Sequence, residues 1–419
     1  MKTQIIDIKL RLVDLLKEVI KYQCFPIIFP LYYYFNHKDY SWLKEKNRQA
    51  RINQGVNNKK IMVIDDRIPY PENGSGYPRT QQILKGLSSL DFKISYYAFI
   101  PFVNKDKVER HFNSNIEFIT SPLIAKKGAL RAIRENLSTI DILLISRPIT
   151  LKRLYRHLPE FKRQNPNIKI FYDSEAINAL RLKGSSQRVN RYLTKELHMA
   201  SFADKTIAIS LRERKVFEQL LQLERLEVLG HQTQEVNISN PIEERSGLLF
   251  MGPLYRKSTE NSQAFLFFLE RIWPYILKNS VTTTFTHIGR NHLIKSHKNL
   301  KPNIKLVGEV KDISIYLNKS RVFVAPTLSS SGIPLKLIES GAHGLPSVCS
   351  TILANQLGWE TEVHALVADD PEEFANQCIR LLTDDELWHK ISKNVLQKVK
   401  SEYSKLHFTN QLKAIFEPS

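Results

Sequence analysis

From Lys60 onward, short and nearly continuous apolar runs alternate with stretches of helical periodicity, a texture that few folds tolerate. The runs IMVID, KISYYAFI, DILLISR, KIFYD and KTIAIS are separated by helical patterns, one of them predicted from about Arg79 to Leu90. Parallel strands read this way because helices cover both faces of their sheet. The stretch QTQEVNISNPIEERSG, Gln232 to Gly247, is polar and aperiodic, and predicts an interdomain linker. Beyond it the alternation starts again with GLLFMG, a helix around Gln263 to Leu277, TTTFTHIG, NIKLVG, RVFVAP, a helix opening near Pro334, and PSVCST. A chain of 419 residues is too long for one ordinary core. The expected fold class is therefore α/β, with two Rossmann-like domains facing across a cleft and an extra N-terminal helical segment. The boundaries expected are 1–58 for that segment, 59–235 and 245–395 for the domains, and 396–419 for a C-terminal helix that can cross back to the N-terminal domain.

A hydrophobic share of 42% with 25% charged residues belongs to a folded globular chain, so most of it should pack. The 61 Lys and Arg against 42 Asp and Glu leave a formal charge of +19, whose field favours anionic partners. That charge is spread along the whole chain and forms no recognition module beside stacking aromatics, which argues against nucleic acid. Cys24, Cys349 and Cys378 are odd in number and far apart, so neither a disulfide framework nor a zinc cluster is expected. The N-terminus lacks the order of a signal peptide, and the apolar run Cys24 to Phe35 falls short of the roughly 20 residues that cross a bilayer. A cytoplasmic protein is expected. Residues 4–22 form an amphipathic basic helix pattern, followed by the aromatics Tyr32 to Phe35 and Trp42. Such a segment suits an anionic membrane surface on the inner face of the cell membrane, and equally suits packing on the body of the protein.

In an open α/β sheet, ligands bind where strand ends lead into helix N-termini. Two loops fit. After the strand ending near Asp65 comes a loop with Gly74, Ser75 and Gly76, whose small residues let backbone amides approach an anion, and Arg79 adds charge. Arg147, at a strand end before Pro148, suits an anionic acceptor or phosphate. The second loop, RVFVAPTLSSSGIPLKLIESGAHGLPSV, runs from a strand into a helix with Pro334 in its first turn. Lys336 and Glu339 share a face of that helix, a cation for phosphates beside a carboxylate for ribose hydroxyls.

At GIPLKLIESGAHGLPSV the chain resembles the family 4, or group 1, glycosyltransferases of bacteria, which have the GT-B fold. LLFMGPLYRKSTENSQAFLFFLERIWPYI is similar to the opening of that family's C-terminal domain, and VIDDRIPYPENGSGYPR, FYDSEAINALR and VLGHQ are similar to segments of one bacterial subgroup. The resemblance spans roughly Lys60 to Leu396. It implies transfer of a sugar from a nucleoside diphosphate sugar to a glycan or lipid-linked acceptor, in cell-envelope polysaccharide or glycolipid synthesis. Retained anomeric configuration and no metal or other cofactor are implied as well. By the same resemblance Gly332, Ile333, Pro334, Leu335 and Lys336 meet the donor, and Arg256 or Lys257 joins Lys336 at the diphosphate. Glu339 binds the ribose, and the backbone at Glu309 and Val310 meets the nucleobase.

The chain departs from that family twice. Ser331 stands where many relatives carry a glutamate that contacts the donor sugar, and Asp173 with Glu175 stands where many carry a histidine. Asp173 and Glu175 are taken as the catalytic pair of the subgroup, Asp173 positioning donor sugar or acceptor, with a helix cap as its plainer alternative. The departures leave open a catalytically inactive GT-B scaffold of a polysaccharide-synthesis complex. His231 and His343 titrate near neutrality in principle, and each also suits packing where it lies.

Overall fold

The structure, a computed structural model, describes residues 41–52, 59–71, 76–100, 104–112, 115–119, 125–181, 185–233, 236, 240–279, 283–294, 303–330 and 332–417. The amphipathic pattern at 4–22, the aromatic run, Gly74, Ser75 and Ser331 lie outside them. The first seven strands are β1 (Lys60–Arg67), β2 (Lys93–Ile100), β3 (Ile116–Phe118), β4 (Ile142–Ser146), β5 (Lys169–Asp173), β6 (Lys205–Ala208) and β7 (Leu226–Val228). They form one sheet in the order β3-β2-β1-β4-β5-β6-β7. The next six are β8 (Leu248–Met251), β9 (Phe285–Ile288), β10 (Ile304–Gly308), β11 (Val322–Ala325), β12 (Ser347–Cys349) and β13 (Leu366–Val367). Their order is β10-β9-β8-β11-β12-β13. The registered pairings are parallel in both sheets. The buried residues of β1, β4, β8 and β11 are the apolar runs that predicted them. Strand order reverses between β1 and β4 and again between β8 and β11, and such switch points open the crevices where ligands bind.

The chain divides into two compact units, residues 1–171 and 172–419. In the first, the helix Ser41–Ile52 packs on the edge strand β3 through buried Leu43 and Ala50. Asn47 pairs with the edge backbone, its amide donating to the Phe118 carbonyl at 2.9 Å and its carbonyl accepting from the Phe118 N–H at 3.0 Å. An edge strand so covered is closed to further pairing. This end of the N-terminal segment thus packs on the body of the protein.

In the second unit the helix predicted from Gln263 to Leu277 is interrupted. It runs as Glu260–Phe267, a π turn Phe268–Ile272, and Trp273–Asn279. Pro274 explains the break, since it has no N–H to give and its ring crowds the carbonyl four residues back. Near the end of the polar stretch Gln232 to Gly247, Arg245 is buried and donates to the carbonyls of Leu317 at 2.9 Å and Ser320 at 3.3 Å. Gly341 lies where the helix Leu335–Ala342 crosses Asp385–Tyr403, and a Cβ there would come within 2.8 Å of Val395. Further along, Lys205 of β6 donates to the Ile415 carbonyl at 3.3 Å, tying in the C-terminal helix Lys405–Phe416. Among the described residues no helix is long and apolar enough to cross a membrane.

Candidate active site

The second switch point is built on glycines and one lysine. Gly252 follows β8 at φ +147, and its carbonyl accepts from His287 Nε2 at 2.8 Å, a residue of β9 buried beneath it. Burial holds that imidazole below its usual pKa, so it sits there neutral, with the proton on Nε2. Lys336, on the first turn of Leu335–Ala342, extends into the same place, where its ammonium donates to Asn261 Oδ1 at 2.5 Å and lies 5.2 Å from the centre of the Phe250 ring. A Cβ on residue 252 would stand 2.8 Å from the Asn261 amide nitrogen and 3.2 Å from Lys336 Nζ, so glycine leaves room for the cation. Burial pushes the lysine down to about 8, against the pull of Glu260 and Glu339. Glu339, one turn on, is pushed up to about 7 by burial, with Lys336 opposing. A cation and a carboxylate, both short of water, thus stand on one helix face beside a backbone turn.

Around that pair the segment from Gly332 to Leu335 is partly committed. Pro334 is the N-cap residue and the helix opens at Leu335, whose N–H bonds to the Ile333 carbonyl. Ile333 and Leu335 pack on the core, as does Val310. Arg256 and Lys257 are exposed on the turn before Glu260–Phe267, where the Thr259 hydroxyl donates to the Arg256 carbonyl at 2.9 Å. Glu309 is exposed and pairs with Arg290 at 2.7 Å, which holds its carboxyl below the usual range. His343 meets Asn318 Oδ1 at 2.8 Å, and burial, with Arg245 nearby, pushes it down to about 4. It is therefore neutral at physiological pH and structural.

Asp173 is buried at the end of β5, and Glu175 follows with φ 55, an uncommon conformation for a residue bearing a Cβ. The Ala176 N–H bonds to the Ser174 carbonyl, and the three backbone N–H groups after it all go to carboxylates. Ile177 donates to Glu213 at 3.1 Å, while Asn178 and Ala179 donate to Glu196 at 2.9 Å each. The Tyr172 hydroxyl is buried among these acids, and burial together with Glu196, Asp173, Glu213 and Glu175 raises it well above its ordinary range.

In the first unit, Arg147 leaves β4 at φ 75 and turns onto the end of β1. It pairs with Asp65, lies 3.5 Å from Asp66, donates to Thr80 at 3.3 Å, and stacks its guanidinium 4.1 Å from the centre of the Tyr77 ring. Tyr96 and the Asp66 N–H also reach the Asp65 carboxylate, at 2.9 and 2.6 Å. Burial nevertheless pushes Asp65 up to about 7. Gly76 opens the helix Gly76–Ser89, and Arg79 on that helix is 0% exposed. Asn261, His287, Glu196, Glu213 and Asp65 were not singled out from the sequence. A polar residue inside an apolar strand was the available signal for His287 and Asp65, and the spacing of Ser210 and Glu213 was the signal for Glu213. Among the described residues no group of three or more His, Cys, Asp or Glu is placed to hold a metal ion.

Among solved structures, the chain is similar to HepE of Anabaena in complex with UDP and glucose, at 16% identity and a TM-score of 0.64 over 85% of this chain and 99% of that one. TarM of S. aureus matches at 12% identity and 0.64 over 86% and 99%. The lipopolysaccharide outer core galactosyltransferase WaaB matches at 12% identity and 0.59 over 86% and 100%. The shared fold is GT-B. A comparison with curated protein sequences gives no match. Residues 245–384, which hold Gly252, Asn261, Lys336 and Glu339, match the family model described as Glycosyl transferases group 1. Fold and matched domain together make the protein a glycosyltransferase.

Proposed function

We propose that this protein is a bacterial family 4 glycosyltransferase that moves a sugar from a nucleoside diphosphate sugar, UDP-linked in the first instance, to a glycan or lipid-linked acceptor of the cell envelope. The observation that carries this is the half-buried Lys336 beside Gly252, with Glu339 one turn away. Lys336 neutralises the diphosphate as the bond from the anomeric carbon to its oxygen breaks. That carbon is taken by an acceptor oxygen, whose proton passes to the departing diphosphate oxygen. Preorganised charge in a poorly hydrated place is effective because little reorganisation is needed. Arg256 or Lys257, on the exposed turn, closes on the same phosphates, so the charge is met by side chains and not by a resident metal. Glu339 accepts from the ribose hydroxyls, the backbone at Glu309 and Val310 faces the base, and Asp173 with Glu175 positions the transferred sugar with retention of configuration. UDP in the HepE structure and the lipopolysaccharide core named for WaaB support a UDP donor and an envelope acceptor.

The test is nucleotide release from a panel of donor sugars, followed across pH. Glu339 works ionised and Lys336 works protonated. The kcat/KM therefore rises with pH through about 7, where the carboxyl loses its proton, and falls through about 8, where the ammonium does. Glu339→Gln removes the acid limb. No release from any UDP, GDP or dTDP sugar would reject the function.

The net charge of +19 also supports work at the inner face of the membrane, with residues 1–40 as the contact. Removal of residues 1–40, which spares the docked helix Ser41–Ile52, is expected to cut sedimentation with anionic vesicles severalfold. Unchanged sedimentation would dismiss the anchor.

A further inference from the structure

Glu213 lies on the short helix Leu211–Phe217 that follows β6, capped by Ser210, whose hydroxyl accepts from the Glu213 N–H at 3.3 Å. Ser-x-x-Glu is the capping-box pattern, in which the glutamate turns back to the N–H of the capping residue. Here it goes elsewhere. Oε2 accepts from the Ile177 N–H at 3.1 Å, and Oε1 accepts from the Gly332 N–H at 2.9 Å. These partners lie 36 and 119 residues away along the chain.

The side chain is 2% exposed, and a carboxylate so buried is stable only when donors replace its water. Bonds to an ionised acceptor are among the stronger ones, and the two oxygens let one side chain hold two backbones in different directions. What it holds is specific. Ile177 comes four residues after Asp173 and two after the left-handed Glu175. Gly332, at φ 77, comes four residues before Lys336. Glu196 secures the next two amides after Ile177, so the segment behind Asp173 is pinned from 177 to 179. The same helix also packs against Thr351–Leu357 of the second sheet's layer, which steadies the bridge.

Resting on the functional reading above, we infer that Glu213 is a positioning residue that couples the donor loop to the Asp173 and Glu175 segment, holding the donor in register with those carboxylates. It touches neither donor nor acceptor itself. Its part in turnover is to fix the separation of two loops that do.

Glu213→Gln separates this from a merely structural role. The amide keeps the shape but accepts at one oxygen only, and sets its NH2 against the second backbone N–H. In the full-length variant, amide hydrogen exchange at both Ile177 and Gly332 should quicken at least about tenfold, while UDP affinity stays within about twofold, because Lys336 and Glu339 are untouched. The kcat should fall about 10–100-fold, the size of effect that small misplacement of reacting groups produces. Glu213→Asp, too short to span both amides, should share the low kcat. A residue that only held the fold together would instead lower Tm and UDP affinity along with kcat. Slow exchange at both amides in E213Q, or an unchanged kcat, would overturn the inference and leave the enzyme assignment standing. Wild-type protein that bound no nucleotide would defeat the assignment itself, and the inference with it.

Discussion

Lys336→Ala should lower kcat/KM for the donor by about 10²–10³, the loss seen when a single preorganised group at a developing negative charge is removed. The reason lies in its surroundings. The ammonium is held by Asn261 and faces the Phe250 ring, in a place where burial already depresses its pKa to about 8. A charge held short of water is reserved for an anion. Its removal also relieves desolvation, so the fold should not suffer, and Tm should stay within about 4 °C of wild type. Nucleotide-release kinetics beside thermal unfolding check both parts. Full activity in the folded variant would show that the diphosphate is neutralised elsewhere.

The second large effect is on stability. Arg147→Met should destabilise the first unit by about 3–5 kcal/mol at pH 8, because it strands a wholly buried Asp65. The sign with pH follows from the folded pKa of Asp65, raised to about 7 against an ordinary value of 3.8. The folded protein keeps a proton that the unfolded chain has released, so the wild-type contribution of Asp65 to stability declines as pH rises between those values. Arg147 supports only the ionised form, so its support is present above about 7 and lost as pH falls through it. The penalty of Arg147→Met should accordingly be smaller at pH 5 than at pH 8. Adding Asp65→Asn should recover much of it, since no uncompensated charge then remains. Denaturant midpoints at the two pH values measure this, and equal penalties would mean that the pair is not the source.

These two sites also mark how far the sequence could be read. The two sheets were legible because strands buried on both faces show unbroken apolar runs, and LLFM and VFVA fold as the runs predict. Lys336 and Glu339 could be paired on one helix face because three residues of helix bring them there. Their setting could not. Asn261 lies 75 residues from Lys336, and nothing in its local pattern says that its carbonyl oxygen will meet that ammonium. Arg147 read as a cation for an anionic acceptor or phosphate at a strand end, and nothing local says that it pairs with Asp65, 82 residues away. The π turn before Pro274 shows the opposite limit: periodicity carried a helix straight through a proline that the backbone had to accommodate. Glu213 carried a true local signal, the capping box, whose usual geometry the fold then replaced with two distant backbone partners.

The central claim is that Lys336 and Glu339 hold the nucleotide of a donor sugar. Calorimetric titration of the full-length protein with UDP, beside the Lys336→Ala/Glu339→Ala double variant, tests it most directly. The predicted result is one-to-one binding by wild type, weakened at least about tenfold in a variant whose circular dichroism is unchanged, as two lost polar contacts of roughly 1 kcal/mol or more each require. Equal affinity in the two proteins, or no binding of UDP, GDP or dTDP by wild type, would contradict it.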